Sequence, residues 1–172
     1  MAETVTIRPG TASDAALLAE LGERTFIESY AEAIGEPVVA FAKKRYGEAQ
    51  QAAELADPRV TFFIASVGAQ PAGYAMLRVG APPLPYAAER PVELSRLYLE
   101  KRWTGRGVGA ALMDGCLDEA RRRGHDVLWL SVWEHNTGAR RFYERYGFEL
   151  IGSHPFHLVG NVQTDFAIAL RL

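Results

Sequence analysis

Val5 and Ile7 alternate with polar neighbours until Pro9-Gly10 stops the run, which predicts a short first strand. Ser13-Asp14 can cap a helix start, and Leu17, Leu18, Leu21 and Phe26 fall at helical spacing over residues 14 to 31. A second helical stretch covers about Glu36 to Tyr46, and a third lies between Gly47 and Pro58. Val60 to Val67 and Gly73 to Val79 are rich in β-formers and flank the turn residues Gly68-Ala69-Gln70-Pro71, so they read as an antiparallel hairpin. Gly80 to Pro91 holds four prolines and is a loop, long enough to cover a site or to be only a surface connection.

Val92 to Leu99 is the next strand, followed by a helix from about Gly107 to Arg123 that Gly124 ends. Val127 to Val132 reads as a buried strand, and Asn136 caps a helix that Gly147 ends after Tyr146. Phe148 to Val159 and Val162 to Leu170 form a final antiparallel pair, with Val162, Thr164, Phe166, Ile168 and Leu170 sharing one face. The order β-α-α-α-β-β-β-α-β-α-β-β has one parallel crossover in the middle and hairpins on both sides. That pattern favours a single mixed α/β sheet with helices on its faces.

The 172 residues suit one domain, 1–172, with one core. A net charge of −2 supplies no excess of cations for a phosphate backbone, so a nucleic-acid role is disfavoured. Arg121-Arg122-Arg123 reads as the solvated last turn of a helix, facing the negative end of its dipole. The opening Met1-Ala2-Glu3-Thr4-Val5 lacks a basic leader, no segment approaches membrane-spanning length, and a single cysteine permits no intramolecular disulfide. Cytoplasm is the expected compartment. Cys116 shares a helical stripe with Leu112, Met113 and Ala120 and reads as core. His125, His135, His154 and His157 show no metal spacing, and alternation separates His154 from His157. No metal site is expected.

Chemistry concentrates between residues 93 and 110. A strand runs through a short polar connection into Thr104-Gly105-Arg106-Gly107-Val108-Gly109-Ala110, and then into a helix. Alternate glycines let backbone N–H groups converge, and the helix start adds unpaired donors and a positive dipole end. Lys101, Arg102 and Arg106 add charge. The arrangement suits a phosphate or diphosphate. Gly105-x-Gly107-x-x-Ala110 also fits the dinucleotide fingerprint, with Glu134 near the place of a ribose-binding acid. Four residues intervene between strand and threonine, however, and the preceding elements are hairpins, which speaks against a doubly wound sheet. A glycine-rich turn without a ligand is the third reading.

These segments resemble the GCN5-related N-acetyltransferases. The hallmark of that family is Gln/Arg-x-x-Gly-x-Gly/Ala after the fourth strand, followed downstream by Asn and Ala-x-x-Phe-Tyr-x-x-x-Gly-Phe. Thr104 to Gly109 occupies the first motif. Asn136 and Ala139-Arg140-Arg141-Phe142-Tyr143-Glu144-Arg145-Tyr146-Gly147-Phe148 occupy the second. Arg8-Pro9, Asp14, Arg24-Thr25-Phe26, Tyr30 and the ending Phe156 to Asp165 are similar to the bacterial spermidine/spermine N-acetyltransferase branch.

The resemblance implies a GNAT-like acyl-CoA N-acyltransferase fold, with a mostly antiparallel central sheet and one parallel, splayed pair. It implies transfer of the acetyl group of acetyl-CoA to a primary amine of a small molecule, polyamines included, by direct attack. A non-catalytic acyl-CoA sensor on the same fold is the alternative, and a homodimer is compatible with the family.

Cofactor contacts carry over to Leu97, Tyr98 and Leu99, whose backbone serves the pantetheine arm and the thioester oxygen. They carry over also to Thr104, Gly105, Arg106, Gly107, Val108, Gly109 and Ala110, and to Asn136, Ala139 and Arg140. Thr104 stands where the family has Gln or Arg. Weaker pyrophosphate contact is expected there, with Arg102 or Arg106 compensating. Tyr143 matches the family's acid, and a phenol stays protonated at neutral pH; it reads equally as a core tyrosine beside Phe142. Glu93 is the candidate base, directly or through water, and a carboxylate there can also bind a cationic amine without moving protons. Glu28, Tyr30 and Glu32 near the end of the first helix are candidates for the acceptor pocket, or for a solvated helix face. His135 is an auxiliary acid or base candidate beside Asn136.

Overall fold

The computed structural model describes residues 3–172; Met1 and Ala2 of the opening stretch lie outside the described residues. Its elements are β1 (Val5–Pro9), α1 (Ala15–Ile34), α2 (Pro37–Arg45), α3 (Glu48–Ala56), β2 (Val60–Val67), β3 (Gln70–Val79) and β4 (Pro91–Leu99). They continue with α4 (Val108–Arg122), β5 (Val127–Trp133), α5 (Thr137–Arg145), β6 (Glu149–Leu158) and β7 (Asn161–Arg171). Short 3-10 turns at Ala12–Asp14 and Lys101–Trp103 complete the order. Seven strands form one mixed sheet in the order β1-β2-β3-β4-β5-β7-β6. The β4–β5 pair is parallel, while β1–β2, β5–β7 and β6–β7 are antiparallel. Helices flank the sheet, as the element order predicts.

Contacts cluster into two compact units. The first comprises the residues up to Leu77 together with Arg96–Cys116. Its core joins the apolar stripe of α1 (Leu18, Leu21) to Phe62 and Ile64 of β2 and to Tyr74 and Met76 of β3. The helical spacing read from the sequence is this stripe. Beside it, Phe26 packs on Tyr30, Phe41 and Tyr46 with ring centroids 4.7, 5.5 and 5.4 Å apart. Tyr98 of β4 meets Tyr46 and Tyr74 edge-on. At Gly73 a methyl group would overlap the Tyr98 carbonyl oxygen, so only glycine allows β3 and the end of β4 to approach this closely.

The start of α1 is fixed by charge. Asp14 accepts hydrogen bonds from both terminal nitrogens of Arg8, at 2.8 and 2.7 Å, and from the Thr11 N–H at 2.7 Å. Those Arg8 bonds, against the opposing cost of burial, hold its carboxyl at about 2. A value below that of the unfolded chain means stability that is present above about pH 4 and lost as the pH falls toward 2. Glu119, held down to about 2 chiefly by Arg122, loses its contribution in the same window. Asp14→Asn is therefore expected to lower stability at neutral pH and to shrink the further loss between pH 5 and 2, read from thermal melts against the wild type. Parallel melting curves for the two proteins would contradict it.

The second unit comprises Arg78–Ser95 and Leu117–Leu172. Val127, Trp129 and Ala169 form its core on one face, covered by Tyr86 and Ala88 of the proline-rich loop and by Ile151. That loop is tied down at several points. Trp129 Nε1 donates to the Gly80 carbonyl at 2.8 Å, and the Asp126 carboxylate accepts from the backbone N–H groups of Glu89 and Arg90 at 2.7 and 2.9 Å. It therefore covers the sheet face that carries Trp129. In β7 the odd residues Asp165, Ala167 and Ala169 are buried on that face; of the even stripe Ile168 is buried and Val162, at its start, is exposed.

Candidate active site

The first unit carries the glycine turn. After β4, Glu100 and the turn Lys101–Trp103 lead to Thr104 in extended conformation. Gly105 and Gly107 have φ of 77° and 83°, and open space surrounds the position of a Cβ at each. α4 begins at Val108, and its first intrahelical bond is from Ala111 N to the Gly107 carbonyl at 3.0 Å. The N–H groups of Val108 and Gly109 thus precede the helical ladder and lie at the positive end of a 15-residue helix. Val108, Leu112 and Met113 are buried and fix that helix start.

Two arginines flank the turn differently. Arg102 is engaged: its Nε donates to Glu100 at 2.7 Å and its guanidinium lies 5.0 Å from the Trp103 ring. Arg106 lies 5.3 Å from the same ring, is exposed, and makes no ion pair among the described residues. Of the two cations read as substitutes for the missing side chain at Thr104, Arg106 is the available one. These features suit a phosphate group: open space at the two glycines, N–H groups ahead of the helical ladder and a guanidinium without an ion pair among the described residues.

The turn is also clamped from α1. Glu100, buried, accepts from Arg24 Nη2 at 2.6 Å, and exposed Glu28 accepts from the Lys101 N–H at 3.1 Å. Glu28 therefore holds the turn, Tyr30 stacks on Phe26, and Glu32 is exposed. The part played by Arg24 and Glu100 was not apparent from the sequence, because 76 residues separate the two partners. Leu97, Tyr98 and Leu99 end β4, with the Tyr98 hydroxyl 3.2 Å from that of Tyr46.

The second unit carries the other candidates. The β4–β5 ladder runs from Pro91↔Val127 to Glu93↔Trp129 and ends there, although β5 continues to Trp133. Glu93 is half-buried, and its carboxylate has no hydrogen-bond or ion-pair partner among the described residues. Asn136 caps α5, its Oδ1 accepting from the Ala139 N–H at 3.2 Å, so Oδ1 and Ala139 N are already paired and the Asn136 amide NH2 remains. Arg140 donates to the Glu134 carbonyl at 3.1 Å and lies 4.7 Å from the Phe166 ring, a bracing position for α5. Exposed His135 lies 3.5 Å from Glu134. Tyr143 is 8% exposed, with its ring 5.3 Å from Phe142 and 5.6 Å from Phe148. Among the described residues no cluster of metal ligands occurs, and no helix is long and apolar enough to cross a membrane.

The profile of the acetyltransferase (GNAT) family matches residues 23–148, from α1 through the glycine turn and Tyr143 to the end of the second motif. The chain belongs to this family. An uncharacterized N-acetyltransferase of Mycobacterium bovis is 34% identical over 161 residues, covering 93% of this chain and 99% of the relative. A shorter match, 30% identical over 67 residues, 38% of this chain and 44% of the relative, is to the spermine/spermidine N(1)-acetyltransferase of Bacillus subtilis. The PaiA N-acetyltransferase of Thermoplasma acidophilum, solved in complex with coenzyme A, shares the fold with a TM-score of 0.79 at 20% identity, over 98% of this chain and 99% of that one. This GNAT member is an acyl-CoA-dependent N-acetyltransferase, and acetyl-CoA is its cofactor.

In this GNAT turn a valine at position 107 meets no neighbour, so crowding is not the obstacle. The obstacle is φ of 83°, which a β-branched residue adopts only with strain. Gly107→Val is expected to pull the turn out of shape and weaken CoA binding about tenfold or more, since strain costs about 1–3 kcal/mol. Equal CoA affinity by calorimetry would contradict that placement of the turn.

Proposed function

We propose that this enzyme acetylates a primary amine of a small molecule, polyamines included, by direct attack of the amine on the thioester. The observation that carries the reading is Glu93: a half-buried, unpartnered carboxylate beside the point where the β4–β5 ladder ends. A desolvated carboxylate attracts a cationic amine more strongly than a solvated one does. Glu93 anchors the ammonium or takes its proton.

Acetyl-CoA supplies the activated acetyl group. The N–H groups at the start of α4, from Val108 onward, and Arg106 hold its diphosphate. The backbone at Leu97 to Leu99 orients the pantetheine arm and donates to the thioester oxygen as charge develops. The Asn136 amide adds a cofactor contact at the start of α5. Tyr143 donates its phenolic proton to the departing sulfur. Glu28 and Tyr30 on α1 border the acceptor's approach. The short likeness to the Bacillus subtilis spermine/spermidine enzyme supports a polyamine among the first acceptors to test.

Release of free CoA from acetyl-CoA is the test, with spermidine, an aminoglycoside, a free amino acid, an alanine-starting peptide and 2-phenylethylamine as acceptors. Turnover with a small amine and not with the peptide supports the reading. Turnover with the peptide alone sinks the small-molecule assignment. Tight CoA binding with no release from any acceptor would make the protein an acyl-CoA sensor.

A further inference from the structure

Three polar side chains share the face of the second unit that carries Glu93. Ser131 Oγ lies 2.7 Å from His154 Nε2. Ser131 belongs to β5 and His154 to β6, with β7 between them. The bridge passes over Ala167, the register partner of Ser131, whose small side chain leaves the path clear. Asp165 is the register partner of His154. It is 9% exposed, and its Oδ1 is buried without a hydrogen-bond partner. Burial pushes the Asp165 carboxyl above its ordinary value, and His154 opposes that shift.

The tautomer follows from the other ring nitrogen. His154 Nδ1 lies 3.2 Å from the Pro155 carbonyl oxygen, which only accepts. Nδ1 therefore carries the hydrogen, and Nε2 accepts from the Ser131 hydroxyl. The lone pairs of Ser131 Oγ are left to receive a further hydrogen bond. Ser131 stands two residues past Trp129, the last β5 residue paired with β4, and on the same face as Glu93.

We propose that Ser131 and His154 form the relay that takes the proton from the acceptor amine, with Asp165 stabilising the resulting imidazolium; the proposal rests on the amine-acetylation reading above. An N–H bond of the ammonium breaks and its proton passes to Ser131 Oγ. The original Ser131 O–H bond breaks in the same step, and that proton bonds to His154 Nε2. The amine keeps the electron pair for attack, and the half-buried imidazolium returns its proton to water. Glu93 then acts as the anchor of the ammonium. The groups facing His154 are Ser131 from β5 and Asp165 from β7; Glu93 of β4 shares the face, and Arg171 sits over Tyr86 at its far end.

The test is kcat/KM against pH, with spermidine and 2-phenylethylamine as probes. The wild type is expected to lose activity as acid protonates His154. His154→Gln should lower kcat/KM about 10²-fold and abolish that acid limb. Ser131→Ala should lose as much, and Asp165→Asn should also lower kcat/KM, because the imidazolium formed in the relay loses the carboxylate beside it. CoA affinity, measured by calorimetry, should be unchanged in all three and certifies that each is folded. If His154→Gln does not fold, Ser131→Ala decides alone. His157→Gln, on the opposite face, should keep the wild-type profile. Wild-type turnover combined with an intact acid limb in His154→Gln or undiminished rates in Ser131→Ala overturns the relay and leaves the amine reading standing. No CoA release from any amine overturns both.

Discussion

Tyr143→Phe is expected to lower kcat by about 10²–10⁴-fold, the usual contribution of a positioned general acid. That corresponds to about 3 to 5 kcal/mol of lost transition-state stabilisation. The substitution removes one oxygen and leaves the ring. Phe142 and Phe148 hold that ring from two sides, and the backbone carbonyl of Tyr143 accepts from the N–H groups of Tyr146 and Phe148 at 3.0 and 3.2 Å. None of those contacts needs the hydroxyl. Packing of α5 and the turn at Gly147 should therefore survive, and CoA affinity should stay at its wild-type value. A fall in kcat with CoA affinity and melting temperature unchanged is the signature of an interaction made only in the transition state. A variant with undiminished kcat would return Tyr143 to the role of an ordinary core tyrosine.

The elements were legible because each announces itself locally. Leu17, Leu18 and Leu21 mark a helix by spacing alone, and Gly124 and Gly147, at φ of 73° and 92°, mark helix ends because other residues rarely adopt that conformation. Boundaries shifted where a local signal was missing. β3 begins at Gln70 rather than Gly73, because Gly68 at φ 58° already completes the turn. α1 runs on to Ile34, three residues past the last position read as helical. The glycine turn ahead of α4 was legible for the same reason as the helix ends: positive φ at Gly105 and Gly107 needs glycine.

Side-chain partnerships across the chain were not legible. Ser131 and His154 are 23 residues apart on strands that are not neighbours, and no periodicity brings them together. The same holds for Arg24 with Glu100, and for the odd face of β7, where Asp165 hides among alanines in a stripe that looks less apolar than the even one. Arg102 and Arg106 looked interchangeable beside Thr104, and only Glu100 separates them by occupying the first. Pattern identifies faces and turns; which polar groups meet on a face depends on strand order, which the pattern leaves open.

Breaking the buried ion pair of the first unit is expected to have the largest effect on stability. Arg96, the residue before Leu97, forms a fork with Glu54 of α3, with Nη1 to Oε2 at 2.7 Å and Nη2 to Oε1 at 2.9 Å. Gln51 Oε1 accepts from Nη1 at 3.2 Å, and the guanidinium lies 5.0 Å from the Tyr46 ring. Arg96 and Glu54 are 3% and 5% exposed, so neither charge can turn to water. Removing one leaves the other charge buried without its counter-ion, which costs about 3–5 kcal/mol. Glu54→Leu and Arg96→Met should each lower the melting temperature by about 10 °C in a chain of this size. The double variant should recover most of that loss, because two apolar side chains can replace a buried pair with little net change. Its polar surroundings set a limit on the recovery: Gln51 Nε2 and the Tyr74 hydroxyl are buried without hydrogen-bond partners, so this pocket holds more polar groups than the ion pair satisfies. Urea unfolding of the two single variants and the double one closes the cycle. A double variant that loses the sum of the two single losses would mean that Arg96 and Glu54 act through separate contacts. The fork would then not be what locks β4 to α3 directly ahead of Leu97.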